Sequence, residues 1–447
     1  MPSSDDEEKE KTAQLPTVAQ CATHLKLLAA FYQIRKKVLN STGLDAALGI
    51  VPMPRTVYRK QNQTWQIAKL HDLTFHDRRL AKWPLYLLLA AVRFLKWVWV
   101  VEALDEQLTG PNAAIMLPPI DVLMVWHALL LNPRWFESIG FKRLPRCPFP
   151  WTRVNEAIDP ETHTWPYTLP NTSSTAFLES TLLEADLFKY LTSPNHSPQF
   201  KQTLTKHGLY RSDIKACNLL TASGIKKALS PPNMLGTAEV HFLKTYRLAL
   251  NAKTSNLASN LVDAVQRQAA FVEKMENHLW IRSPALEGTL TRAVDRYSKF
   301  LKLFRLYPDR MLVPTLDIDL VWHTHQCSPF QYNEAMMKVA GRLIDHNDKL
   351  GKNTLNPGFE RTADLFRMRF GLVYSRCHCW DCETLLSAIE DSRSRSRSKS
   401  KPRGEDAERE IAREVHRRVA YFRAVEIARR AGKTLLPLDD ELPGEVD

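Results

Sequence analysis

The sequence predicts an all-α protein built from two related multi-helix halves and a C-terminal basic helix. Three observations predict it. First, one segment occurs twice. Pro118 to Pro133 reads P-P-I-D-V-L-M-V-W-H-A-L-L-L-N-P, and Pro314 to Pro329 reads P-T-L-D-I-D-L-V-W-H-T-H-Q-C-S-P. Pro118, Asp121, Trp126, His127 and Pro133 share a register with Pro314, Asp317, Trp322, His323 and Pro329, a common P-x2-D-x4-W-H pattern without a gap. Second, apolar residues recur at three- and four-residue steps along most of the chain, the spacing of a helix face. Third, the first copy settles the structure of both. The second copy alternates, with Leu316, Ile318, Leu320 and Trp322 facing one way on a strand. The run from Val122 to Leu129 does not alternate, and its Leu, Met and Ala favour helix. Equivalent segments share a structure, so both are read as buried helices.

Residues 1–14 are acidic and polar and are expected to be disordered. The first half spans 15–140. It opens on an amphipathic helix carrying Cys21, Leu25, Leu28 and Tyr32. The breaker Val51-Pro52-Met53-Pro54 follows, then a helical pattern from Trp65 to Leu80 and a long apolar helix from Leu85 to Leu108. Arg93-Phe94-Leu95-Lys96 echoes Lys299-Phe300-Leu301-Lys302 ahead of the second motif. Measured from that echo, the first copy holds about ten extra residues near Thr109 to Asn112. Residues 141–235 form a Pro/Ser/Thr-rich connector with short helices at Ser174 to Leu191 and Ser197 to His207. The second half spans 236–388. One helix stripe is Leu261, Val265, Ala269, Val272 and Met275; another runs from Leu286 to Phe304. A helix from Pro329 should end at Gly341, and a short one from Thr362 to Phe370 at Gly371. A Ser/Arg linker (389–404), a basic amphipathic helix (405–433) and a disordered tail (434–447) complete the chain.

Asp121 and Asp317 fall in first turns, where a carboxylate answers free N–H groups. Asn132-Pro133 and Ser328-Pro329 read as N-caps followed by Pro at the first helical position. Trp126 and Trp322 read as core packing, His127 and His323 as hydrogen-bonded core histidines.

The run Val313 to His325, the following Ser328-Pro329-x-x-Tyr332 and His346-Asn347-Asp348 resemble the GRDP-like family (glycine-rich domain-containing protein-like) over roughly Leu15 to Leu386. The resemblance implies a helical domain carrying the paired W-H motif and no settled biochemical role. The first copy departs at Ala128 and Leu129, where Thr324 and His325 stand. With 15 Gly in 447 residues the glycine-rich segment is lacking, so no role tied to it carries over.

Two groups have the residue types of metal sites. Asp317, Asp319, His323, His325, His346 and Asp348 offer the set of a two-His, one-carboxylate iron centre. His346-x-Asp348 also resembles the H-x-D of Fe(II)/2-oxoglutarate oxygenases, although that family sets it on a β-strand. On a helix, His323 and His325 lie roughly 200° apart and do not share an ion. Asp319 and His323 lie one turn apart, and their pairing would favour imidazolium, which opposes ligation. Cys377, Cys379 and Cys382 have the short spacing of a zinc site, with His378 or Cys327 as the further ligand. The cofactor expectation is therefore zinc or iron.

The net charge is +12. Asp391 to Arg430 hold thirteen Lys/Arg against seven Asp/Glu, so half of the excess lies there. RNA or an acidic partner is the expectation for residues 392–430, phosphorylation of the Ser/Arg tract included. The seven Cys are expected as free thiols, and no transmembrane segment is expected because Arg93 and Lys96 interrupt Trp83 to Val101. The compartment expected is intracellular, cytoplasmic or nuclear. Phosphate-loop, zinc-protease and nucleophile-elbow motifs are absent. The leading functional expectation is a non-enzymatic interaction or scaffold protein with a protein partner. The alternatives are a metal-dependent oxygenase and an RNA- or phospho-regulated adaptor.

Overall fold

In the computed structural model, residues 14–61, 64–104, 116–207, 223–230, 234–252, 256–346, 352–396 and 405–436 are described. In order they form α1 (Val18–Asn40), α2 (Thr42–Ala47), β1 (Arg55–Gln61), β2 (Thr64–Leu70), α3 (Phe75–Leu80), α4 (Lys82–Glu102), α5 (Ile120–Leu130), α6 (Pro133–Ile139), α7 (Trp151–Ala157), α8 (Asn171–Thr181), α9 (Leu187–Leu191) and α10 (Pro198–His207). Then come α11 (Thr237–Ala252), α12 (Asn256–His278), α13 (Leu286–Leu306), α14 (Leu316–Gln326), α15 (Pro329–Ala340), α16 (Lys352–Phe370), α17 (Trp380–Ser396) and α18 (Glu405–Arg430). The fold is all-α, with one two-stranded sheet among the described residues.

Helix α1 threads the centre. Thr17 and Gln20 close a capping box at its start, which satisfies two otherwise orphaned amides. Its buried residues, among them Cys21, His24, Leu25, Leu28 and Phe31, cover most of its circumference. It therefore packs against α4 of the expected first half, α7 of the expected connector, and α12, α13 and α14 of the expected second half. A single buried cluster runs from Cys21 to Tyr374, so both motif helices share one core. A smaller cluster of Leu279, Trp380, Val415 and Val419 seats α18 on α17, with Ile411 and Phe422 packed at its margin.

Several local expectations are corrected. Trp65 to Leu80 is not helical throughout: Thr64–Leu70 is a strand paired antiparallel with β1, and only Phe75–Leu80 is helix. The β-formers Thr56, Val57, Tyr58, Trp65 and Ile67 carry the hairpin. The apolar helix expected from Leu85 to Leu108 runs from Lys82 to Glu102. The connector helix expected over Ser174 to Leu191 is two helices, because Leu182 adopts φ 60° and Asp186 caps the second through Lys189 N. Helix α16 begins at Lys352 rather than Thr362, with Pro357 inside it. There Gly358 lies where a Cβ would strike Met311 and Val313, so the glycine permits close packing and does not break the helix. Helix α17 extends into the expected Ser/Arg linker as far as Ser396, and residues 397–404 lie outside the described residues. Of the stretches expected to be disordered, 1–14 and 434–447, residues 1–13 and 437–447 also lie outside them. Gly341 ends α15 at φ 69° as its position predicts.

Phe75–Glu102 is long and apolar enough to cross a membrane by length and composition, but 72% of its most apolar window is buried inside the protein. It behaves as a core segment, with Arg93 engaged by a carboxylate.

Candidate functional site

Each motif helix is anchored by the same kind of buried clamp. Asp121 accepts from Arg93 Nε at 2.6 Å, and Asp317 accepts from Arg296 Nε at 2.6 Å. Arg93 also donates to the Glu184 and Ala185 carbonyls at 2.9 and 2.8 Å. Arg296 donates to Val373 O at 3.2 Å and Tyr374 O at 2.5 Å. Each guanidinium faces an aromatic ring, Phe177 at 5.1 Å and Phe366 at 5.5 Å. The aspartates thus answer arginines first, and Asp121 also accepts from its own helix amide as expected of it. The clamps also correct the sequence echo: Arg93 corresponds to Arg296, not Lys299. The separations to the aspartate are 28 and 21 residues, so the first copy is longer by seven, not ten. Asn132 and Ser328 stand at the N-cap positions but make no side-chain cap bond; Asn132 Nδ2 donates back to Ala128 O at 3.0 Å.

The tryptophans are core residues. Trp126 packs against Trp97 and Phe149, both with ring centroids 5.2 Å away. Trp322 Nε1 donates to Tyr332 OH at 2.8 Å, and Tyr332 donates to Ile344 O at 2.7 Å. The Tyr of the Ser-Pro-x-x-Tyr run therefore ties the chain after α15 back to α14.

The two motif histidines diverge. His127 Nε2 lies 2.8 Å from His24 Nε2, and His24 Nδ1 lies 2.9 Å from Thr324 Oγ1. Thr324 donates its own proton to Leu320 O at 2.7 Å, so its oxygen must accept from His24 Nδ1–H. A neutral His24 then accepts at Nε2, and His127 must be the donor. This one-way chain joins the first motif helix to the second through α1. Burial pushes the His24 imidazole well below its ordinary range, with the His127 and His323 rings adding to it. Burial, then His323, lowers His127 to about 3. Cys327 lies close by, and burial holds its thiol well above the ordinary range.

His323 meets a different set. Its Nε2 is 3.2 Å from His346 Nε2 and 3.4 Å from Asp319 Oδ1, and His346 Nε2 is 3.3 Å from the same oxygen. Charge-assisted hydrogen bonds are shorter, about 2.7–2.9 Å. Asp319 Oδ1 and His323 Nδ1 are buried without a hydrogen-bond partner of good geometry among the described residues. Burial pushes the Asp319 carboxyl up, but His323 and His346 outweigh it and hold it below the ordinary carboxylate range. The imidazolium expected of this pair does not arise: burial outweighs Asp319 and lowers His323 to about 4.

Other candidates are not brought to this cluster. His325 Nδ1 bonds Tyr297 OH at 3.0 Å, since two residues along a helix turn the side chain to the other side. Asp317 is held by the clamp, and Asp348 lies outside the described residues. Cys377, Cys379 and Cys382 do gather within 4.8 Å of one another. Hydrogen bonds from Cys379 and Cys382 lower the Cys377 thiol, whereas Cys382 rises to about 12. His378 does not complete the group, being placed between Asp317 at 3.4 Å and Glu383 at 3.2 Å.

Sequence reasoning missed His24, Thr324, Arg93 and Arg296. A buried aspartate at a helix start demands a cation, and that demand is the signal that could have found the arginines. It also missed the hairpin surface. Register places Tyr58 opposite Ile67, Lys60 opposite Trp65 and Thr56 opposite Lys69, all on one face. Tyr58, Trp65 and Ile67 are 69%, 68% and 63% exposed, so this face is open.

Fold and site together define a helical protein with two buried Trp-His helices joined through a third. Residues 200–335 match the model of the GRDP-like family, glycine-rich domain-containing protein-like. The match is narrower than the sequence resemblance suggested; it covers the second motif and ends before His346. Glycine-rich domain-containing protein 1 of Arabidopsis thaliana is 37% identical over 123 residues, which is 26% of this chain and 14% of that protein. Glycine-rich domain-containing protein 2 of the same plant is 34% identical over 125 residues, 26% of this chain and 15% of that protein. The matched stretch thus spans about a seventh of these relatives. No solved structure matches the chain.

Proposed function

We propose that the chain is a non-enzymatic interaction protein whose helical body presents the β1–β2 hairpin to an anionic lipid surface. The observation that carries this reading is the composition of one hairpin face. Tyr58, Trp65 and Ile67 form an exposed apolar band flanked by Lys60 and Lys69. Arg55 to Leu70 contains four basic residues and no acidic one. The strands pack chiefly on each other, and a two-stranded ribbon alone is only marginally stable in water. Trp and Tyr favour the headgroup region, and each basic residue near an anionic leaflet contributes about 1 kcal/mol. Burying Ile67 and the two rings contributes a comparable amount, so binding needs both parts of the face. Ile67 favours a membrane over single-stranded RNA, to which an aliphatic side chain offers no stacking.

The oxygenase alternative has less support. Its candidate ligands His323 and His325 are 1% and 2% exposed, and the described residues contain no β-barrel. The adaptor alternative rests on 392–404, of which 397–404 lie outside the described residues.

The test is co-sedimentation of the full chain with phosphatidylserine/phosphatidylcholine vesicles and with phosphatidylcholine alone. Binding should require the anionic lipid, and Trp65→Ala should weaken it about tenfold, the loss of about 1.4 kcal/mol expected for one partly buried ring. No anionic-lipid dependence overturns the reading. So does Trp65-dependent binding to a single-stranded RNA oligonucleotide in its place.

A further inference from the structure

The distances among Asp319, His323 and His346 suit a metal ion better than hydrogen bonds. Each Nε2 carries at most one proton and the carboxylate oxygen none, so three mutual contacts at 3.2, 3.3 and 3.4 Å cannot all be good hydrogen bonds. The first-half pair is the internal control. His24 and His127, also Nε2 to Nε2, close to 2.8 Å because a proton lies between them. In the second cluster the atoms stand apart by the edge of a coordination polyhedron. Tetrahedral zinc with bonds of about 2.0–2.1 Å places its ligand atoms about 3.3–3.4 Å apart. Octahedral coordination at similar bond lengths gives about 2.9–3.0 Å. The observed spacing agrees with the tetrahedron.

The surroundings place each ligand independently of an ion. Asp319 and His323 stand one turn apart on α14, so helix geometry alone puts their side chains on one face. His346 is positioned by the Trp322–Tyr332–Ile344 chain, which fixes the backbone two residues before it. Its ring stands edge-on to Trp322 with centroids 5.0 Å apart. Phe271 covers His323 from α12, with centroids 4.4 Å apart, and limits water on that side. Asp319 is the most exposed of the three at 20%, although its Oδ1, the atom that faces both rings, is buried. Two imidazoles and one carboxylate are also the donor set of three-ligand zinc sites.

We infer that Asp319 Oδ1, His323 Nε2 and His346 Nε2 form a tetrahedral zinc site that fastens the segment after α15 to α14. The site goes beyond the proposed function and does not depend on it.

The experiment uses the full chain with Cys377, Cys379 and Cys382 changed to Ser, so that this partly exposed thiol cluster holds no zinc. Elemental analysis after incubation with zinc and removal of excess should find about one zinc per chain. Asp319→Asn and His346→Gln should each abolish it, whereas His127→Gln should retain it. Cobalt(II) should bind with the intense visible absorption of tetrahedral coordination and be displaced by zinc. Adding zinc should raise the midpoint of thermal unfolding in the parent and leave it unchanged in His346→Gln. Should Asp319→Asn fail to fold, the cobalt spectrum of the parent still decides. Substoichiometric zinc in the parent overturns the inference. Zinc retained in His346→Gln, an octahedral cobalt spectrum, or stoichiometric iron in place of zinc does the same.

Discussion

Helices α5 and α14 carry the same Trp-His pair in the same register, yet their histidines face different partners. The clamps at their starts are alike, each an aspartate held by an arginine that also reaches two distant carbonyls. The difference lies one turn before the histidine. Leu123 precedes His127 by four residues, whereas Asp319 precedes His323 by four. With an apolar neighbour one turn back, His127 bonds the His24 ring, and the result is a hydrogen-bonded joint. A carboxylate neighbour, with His346 delivered from another segment, makes a site with ion-binding spacing. A buried histidine is thus defined by the residue one turn away and by what tertiary packing brings opposite it, not by the motif that contains it.

The largest expected effect tests what the two copies share. Asp121→Ala and Asp317→Ala each leave a buried guanidinium without its carboxylate, and each should lower unfolding free energy by about 3–5 kcal/mol. Chemical denaturation measures both. A loss confined to one of them would mean that the clamps are not equivalent.

A smaller effect separates the histidines. His127→Phe removes the donor to His24 Nε2 and leaves a buried acceptor unpaired, which should cost about 1–3 kcal/mol. Thr324→Val should behave alike at the other end of the chain of bonds, because His24 Nδ1–H loses its acceptor. The double variant should lose less than the sum of the two, since both act through one ring.

The pH dependence is directional. His24 and His127 are neutral in the folded core and would charge in the unfolded chain near pH 6.5. Above that value both states are neutral and no stability is lost. As pH falls from 6.5 toward the folded value of about 3 for His127, the unfolded chain binds the extra proton and stability declines. The slope is at most about 1.4 kcal/mol per pH unit for each histidine. His127→Gln should flatten the curve below pH 6.5 by about one proton, as measured by denaturation across that range.

The smallest effect belongs to the hairpin. Trp65→Ala and Tyr58→Ala alter exposed side chains and should change stability by less than about 0.5 kcal/mol while weakening vesicle binding. A large stability loss would show that the rings pack on the body of the protein and are not available to a partner.

The helical class was legible in the sequence because apolar spacing repeats over long stretches. The strands at 55–70 were not, since a short exposed hairpin buries little, and its band of Tyr58, Trp65 and Ile67 forms only once the register brings the two strands together. The start of α16 at Lys352 rather than Thr362 was missed for a related reason: the close packing of Gly358 against Met311 and Val313 is invisible in one dimension. The pairing of Asp319 with His323 was legible from helix pitch, but its charge state was inferred wrongly. Pitch reports who the neighbours are; burial decides whether the ring is protonated.

By itself, the sequence determined the repeated Asp-Trp-His helices, the i and i+4 carboxylate beside the second histidine, and the stops at Gly341 and Gly371. These are local properties, set by helix pitch and backbone freedom within a few residues. Tertiary structure alone decided that His24 joins two helices 103 and 300 residues away, that Arg93 and Arg296 hold the aspartates, and that His346 meets His323. Those contacts link segments far apart in the chain, where burial of the whole core brings polar groups together and only the folded geometry selects their partners.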